Sequence, residues 1–215
     1  MRGDLCVITD ARLSRGRRQQ DVVRAAIRGG ATMIQLREKD ATTRALVELG
    51  HELRAVTREA GVSLIVNDRV DVALALDADG VHVGQDDMPA ALARRLIGPS
   101  VILGVTATSL EEALRGEQDG ADYLGVGPIF PTGSKPGAAP PIGVSGLSNI
   151  AVRVRIPIVA IGGVSPENAG SIIEAGADAV AVISAVVSAP DVEQAARCLI
   201  DRVSTARAHR SPLAR

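Results

Sequence analysis

The stretch Gly176-Ala177-Asp178-Ala179-Val180-Ala181-Val182-Ile183 decides the fold. Its glycine closes a helix-patterned segment, small residues turn the chain, and an uninterrupted apolar run follows, as in strands buried on both faces. Related phrases, Gly29-Gly30-Ala31, Asp77-Ala78-Asp79-Gly80 and Gly120-Ala121-Asp122, precede other apolar runs, so one strand-helix unit repeats along the chain. Working outward gives eight runs: Cys6 to Thr9, Thr32 to Leu36, Leu64 to Val66, Gly80 to Val83, Val101 to Val105, Tyr123 to Val126, Ile158 to Ile161 and Ala179 to Ile183. Between them, Thr43 to Ala60, Ser109 to Gln118, Pro166 to Glu174 and Asp191 to Val203 carry helical spacing. Eight such units predict an α/β fold, a (β/α)8 TIM barrel, as one domain over residues 1–203. A doubly wound sheet is the alternative.

Two segments break the rhythm. From Gly127 to Gly146 the chain carries Pro128, Pro131, Pro136, Pro140 and Pro141 with no helical pattern, which predicts a long functional loop after the sixth run. From Ser204 to Arg215 the composition is polar, and a solvated, flexible tail is expected.

Composition removes several classes of function. The 24 basic and 25 acidic residues nearly cancel, to a formal charge of −1, so no nucleic-acid partner is expected. Tyr123 and Phe130 are the only aromatic side chains, which excludes a base-stacking platform. No run of 18 apolar residues occurs, and Met1-Arg2-Gly3-Asp4 does not begin a signal peptide, so no membrane partner and a cytoplasmic location are expected. Cys6 and Cys198 lie far apart without CxxC spacing and read as two inert, buried thiols. A homo-oligomer fits these features as readily as a monomer.

Barrel enzymes carry their chemistry where strands end. The second run leads into Gln35-Leu36-Arg37-Glu38-Lys39, the third into Asn67-Asp68-Arg69, and the fourth into Gly84-Gln85-Asp86-Asp87. Thr106 follows the fifth, Gly127 to Lys135 the sixth, Gly162-Gly163 the seventh and Ser184 the eighth. Lysine is otherwise avoided: Lys39 and Lys135 are the only two, and both fall in these loops, where a compact ammonium suits phosphate oxygens. Gly162-Gly163 and Ser184 occupy the usual barrel phosphate site, although Gly-Gly after a strand is also a simple turn. Asp68 and Asp87 end adjacent predicted strands and could share a Mg2+ ion completed by substrate phosphates. Equally, Asp68 and Asp86 could cap the helices that follow. His82, between Val81 and Val83, could point into the barrel, but reads first as a satisfied core histidine. There is no nucleophile elbow, HExxH or Walker loop, so covalent catalysis is not indicated.

From Cys6 to about Val203 the chain resembles the thiamine phosphate synthase family. Gln35-Leu-Arg-Glu-Lys39, Asn67-Asp68, Gly80-Val-His-Val-Gly-Gln-Asp-Asp87, Gly125-Val-Gly-Pro-Ile-Phe-Pro-Thr132, Ser134-Lys135, Ala160-Ile-Gly-Gly163 and Val182-Ile-Ser184 match in order and spacing. The resemblance implies a barrel enzyme, a transferase using Mg2+ and two small-molecule substrates, a pyrimidine pyrophosphate and a thiazole phosphate. It implies that Gln35 and Asn67 contact the pyrimidine, that Arg37, Lys39 and Lys135 are the catalytic pyrophosphate ligands, and that Asp68 and Asp87 hold the metal. Thr132, Ser134, Gly163, Ile183 and Ser184 would form the thiazole phosphate pocket. Thr106 stands at a substrate-contact position where the family usually has serine, and Ser134 where it usually has threonine; Lys135 is followed by Pro136-Gly137 rather than a second polar group. Two rivals share parts of this pattern. A thiazole tautomerase-like paralogue would keep the thiazole pocket but lack the full pyrophosphate set. A non-catalytic phosphate-ligand sensor would bring a DNA-binding motif, and none is present.

Overall fold

The computed structural model describes residues 4–134 and 137–209. Eight parallel strands close into a barrel in sequence order: β1 (Leu5–Ile8), β2 (Met33–Leu36), β3 (Ser63–Asn67), β4 (Gly80–Val83), β5 (Ile102–Ala107), β6 (Tyr123–Val126), β7 (Ile158–Ile161) and β8 (Ala179–Val182). The ring closes where β8 pairs with β1, with Cys6 opposite Ala181. Outside it lie α1 (Gln19–Arg28), α2 (Thr43–Ala60), α3 (Val70–Ala75), α4 (Ala90–Ile97), α5 (Leu110–Gln118), α6 (Gly143–Ala151), α7 (Ala169–Glu174), α8 (Ser184–Val187) and α9 (Val192–His209). Among the described residues no helix is long and apolar enough to cross a membrane. The expected barrel is thus the observed one, and the doubly wound alternative is set aside.

Strand alternation sorts the side chains into two cores. Leu5, Val7, Ile34, Leu36, Leu64, Val66, Val81 and Leu103 point outward and are packed under the helices. Cys6, Ile8, Met33, Ile65, Tyr123, Val159, Ala179 and Ala181 point inward and fill the barrel's interior. The parity of each strand therefore fixes which of its later residues can reach the interior.

The repeated phrases have a common structural role at the floor of the barrel. Asp79 accepts the Leu64 N–H at 2.7 Å, Asp122 the Leu103 N–H at 2.8 Å, and Asp178 the Ile158 N–H at 2.9 Å. In the first repeat, Thr32 Oγ1 accepts the Leu5 N–H at 3.3 Å. Each repeat thus ties off the start of the preceding strand, where a backbone donor would otherwise lack a partner. The alanine before each, Ala31, Ala78, Ala121 or Ala177, donates its N–H back into the helix just ended, at 3.0–3.3 Å.

Four expectations need correction. The helix read from Pro166 starts at Ala169, because Asn168 Oδ1 takes the Ser165 N–H at 2.8 Å and its Nδ2 donates to Gly163 O at 2.8 Å, a side-chain alternative to the helical turn. The proline-rich loop ends at Ile142, since α6 begins at Gly143, inside the stretch read as loop. The tail expected from Ser204 is helical through His209, with Val203 and Ala206 buried and Arg207 bonded to Asp4 and to Asp178 O. Residues 210–215 lie outside the described residues. Cys6 is buried as expected, but Cys198 is partly exposed on α9.

Candidate functional site

The carboxyl ends of the strands open onto a cavity of about 450 Å3. Gln35, Arg37, Lys39, Asn67, Asp68, Asp87, Thr106, Thr132, Ser134, Gly163, Ile183 and Ser184 all line it. Lys135 lies outside the described residues. Twelve described residues singled out in the sequence thus meet at one mouth, drawn from seven of the eight strand ends.

Alternation explains the deepest of them. Gln35 shares the parity of Met33, and Asn67 that of Ile65, so both project into the interior that those apolar residues fill. Thr106, expected after its strand, lies within β5, with its hydroxyl 2.9 Å from His82 Nε2. Above this floor stand the charged groups. Lys39 Nζ is paired with Asp68 Oδ2. Asp68 adopts φ +62°, a left-handed backbone uncommon outside glycine, while its N–H donates to His82 O at 2.7 Å. The β4 loop folds around Asp87, whose Oδ2 accepts the Gly84 N–H at 2.7 Å. Burial pushes the Asp87 carboxyl above its ordinary value, and the adjacent Asp68 carboxylate raises it further, against the opposing pull of Gly84 N–H and Lys39.

The far wall is built by loop against loop. Gly163 has φ +63°, and a Cβ there would lie 2.6 Å from Phe130 Cβ and 2.7 Å from Pro131 O. Only glycine allows the β7 loop to nest under the β6 loop in this way. Ser134 Oγ donates to Ser184 Oγ at 3.0 Å, bringing the β6 and β8 loops together.

A match to the thiamine monophosphate synthase family spans residues 5–186. The chain belongs to the thiamine monophosphate synthase family. Family membership makes it an enzyme, a transferase of thiamine biosynthesis. It is 64% identical over 200 residues to the thiamine-phosphate synthase of Chloroflexus aurantiacus, covering 93% of this chain and 92% of that one. The thiamine-phosphate synthase of Moorella thermoacetica is 56% identical over 204 residues, covering 95% and 97%. Among solved structures, the thiamine phosphate pyrophosphorylase from Pyrococcus furiosus superimposes with a TM-score of 0.87 at 47% identity, over 95% of this chain and 97% of that one.

In this family member the donor set fits a hard divalent cation. Asp68 and Asp87 offer neighbouring carboxylate oxygens, with an ammonium drawn onto Asp68. Two carboxylates suit Mg2+, which keeps water and phosphate oxygens for the remainder of its shell. Among the described residues no group of three or more His, Cys, Asp or Glu side chains is gathered as a metal cage.

For His82 the sequence allows either a side chain pointing into the barrel or a satisfied core histidine, and it assigns the residue no role at the site. His82 is satisfied, with Nδ1 3.0 Å from the Tyr123 hydroxyl, and it also lines the cavity. Its ring and that of Tyr123 occupy the space left by two glycines on neighbouring strands: a Cβ at Gly104 would sit 2.2 Å from Tyr123 Cζ, and one at Gly125 2.7 Å from His82 Cε1. Tyr123, with the Gln35 side chain beside its hydroxyl, went unassigned. The signal was the parity that His82 shares with Gly80 on β4 and, through the register, with inward Gly104 on β5.

Proposed function

We propose that the cavity joins 4-amino-2-methyl-5-hydroxymethylpyrimidine pyrophosphate to 4-methyl-5-(2-hydroxyethyl)thiazole phosphate, giving thiamine phosphate and pyrophosphate. The carrying observation is the convergence of Arg37, Lys39, Asp68 and Asp87 at one side of a mouth whose other side holds Gly163, Ile183 and Ser184. Pyrophosphate departs with the bonding pair of its carbon–oxygen bond, and the thiazole nitrogen lone pair closes on the methylene carbon left behind. Arg37 and Lys39 stabilise the negative charge that builds on the departing oxygens, and Lys135 is assigned beside them by resemblance. Gln35 and Asn67, fixed by strand parity, hold the pyrimidine plane. Gly163, Ser184, Ser134 and Thr132 seat the thiazole phosphate, while Thr106 keeps a hydroxyl on the wall between the two. Such an arrangement supplies orientation as well as charge, so the protein needs no nucleophile of its own. Asp68 and Asp87 would hold Mg2+, which, when bound, neutralises pyrophosphate oxygens as a Lewis acid. The reaction would run in the cytoplasm on small molecules, without nucleic acid or membrane as partner.

Incubating the purified protein with both substrates and Mg2+ tests the reading directly. Thiamine phosphate and pyrophosphate should appear in equal amounts, cease with excess chelator and resume with added Mg2+. Asp68→Ala and Lys135→Ala should each lower turnover about 100-fold with the fold intact. No product from the wild-type protein, or full turnover in excess chelator, would refute it.

A further inference from the structure

We propose that Asp10, just beyond the end of β1, is a positioning residue that aims the Arg37 guanidinium at the diphosphate. β1 is the strand end from which sequence reasoning drew no site residue, yet its exit holds an acid only 2% exposed. A buried carboxylate demands charged partners, and Asp10 has two arginines. Its Oδ1 accepts the Arg12 N–H at 3.0 Å and Arg12 Nε–H at 3.2 Å, while Oδ2 accepts Arg12 Nη2–H at 3.0 Å and Arg37 Nη1–H at 3.1 Å. The two arginines differ in setting. Arg12 is half exposed and absent from the cavity wall; Arg37 is 9% exposed at its side chain and lines the cavity.

The Arg12 main-chain N–H holds Oδ1 and so leaves Oδ2 turned toward Arg37, while the Arg12 side chain adds a second, forked contact to the same carboxylate. Among the described residues, Asp10 is the only hydrogen-bond partner of the Arg37 guanidinium, so the rest of that five-donor fork is left to the cavity. The main chain of Arg37 is anchored from the same strand end: Thr9 Oγ1 accepts the Arg37 N–H at 2.9 Å and donates to Arg37 O at 3.3 Å. Support of the short turn Ala11–Leu13 is not left to Asp10 alone, because both oxygens of Glu38 accept the Ala11 N–H at 3.1 Å. The bond from Asp10 to Arg37 is therefore a contact that the turn itself does not need. Ordering a long side chain before the ligand arrives is worth about threefold to tenfold in affinity.

The inference rests on Arg37 meeting the diphosphate as proposed above, and the test separates the two. Binding of inorganic pyrophosphate with Mg2+, and of the thiazole phosphate, is measured by calorimetry for the full chain, with a melting curve for each variant. Asp10→Asn turns an N–H2 toward one arginine or the other; Asp10→Ser removes the contact to Arg37 while keeping an N-cap hydroxyl for the turn. Both variants should weaken pyrophosphate about tenfold and leave the thiazole phosphate within twofold. Arg12→Ala, which spares the contact to Arg37, should weaken pyrophosphate less than threefold. In an Arg37→Ala background either Asp10 change should add less than twofold. An Asp10 effect equal with and without Arg37, or equal for both ligands, would overturn the proposal, as would unchanged pyrophosphate affinity. A wild-type protein that binds pyrophosphate but makes no thiamine phosphate would refute the proposed function and leave the assignment of Asp10 standing.

Discussion

Cys6 is buried at the inner end of the cavity, where burial pushes its thiol from 9.0 up to about 12, while Cys198 is partly exposed on α9 beside Gln194. The thiolate is the species that alkylating reagents attack. At pH 8.5 iodoacetamide should therefore label Cys198 first and reach Cys6 only after unfolding; mass spectrometry showing equal rates would contradict this burial. Because the folded protein keeps the Cys6 proton that an unfolded chain surrenders near pH 9, stability should decline from about pH 9 towards pH 12. Individual site residues were legible in proportion to how local their cause is. Gln35, Asn67 and Thr106 stand out as polar residues in or at the ends of apolar strands. Lys39 stands out by the rarity of lysine. Asp10 gave no such sign, since Arg37 lies 27 positions away and only the pairing of β1 with β2 brings the two together.

The strand-helix unit carries its own lock, a side chain in the turn before one strand that accepts an N–H at the start of the strand before it. Asp122 is the clearest case, bonding Leu103 N at 2.8 Å and Arg94 Nη2 at 2.5 Å. Asp122→Ala leaves that strand donor without its acceptor, and should lower unfolding stability by about 1–3 kcal/mol. Urea unfolding measures it, and turnover at low temperature should be unchanged because the lock is at the opposite end from the cavity. Most elements were legible because glycine, alanine and aspartate recur at the turns while apolar runs lie between. Helix starts were less so. Asn168 diverts the start of α7 into a side-chain turn, and α6 begins with Gly143-Val144-Ser145-Gly146, a composition without helical preference that tertiary packing nonetheless winds up.

For the whole molecule, the eightfold repeat made the ring itself readable, but the seam of the ring was not. α9 packs across α1 and α7, and Arg207 ties Asp4 at the start of the first strand to the backbone of Asp178 at the start of the last. Its last turns read as a solvated tail because Arg207 and His209 dominate their composition, while Val203 and Ala206, three residues apart, form the buried stripe. A chain ending at Val203 should lose about 2 kcal/mol of stability, from the burial of Ala206 and the bonds of Arg207. Chemical unfolding that matches the full chain would contradict that role.

The pairing of β1 with β8 also dictates when the protein can become whole. Any nascent chain that has not yet emerged past Ala179 presents two unsatisfied backbone edges, one from its earliest strand and one from its latest, each a template for adhesion to other chains. Synthesis must therefore reach β8 before β1 finds its lasting neighbour, and shielding of that waiting edge falls to whatever greets the polypeptide at the exit tunnel.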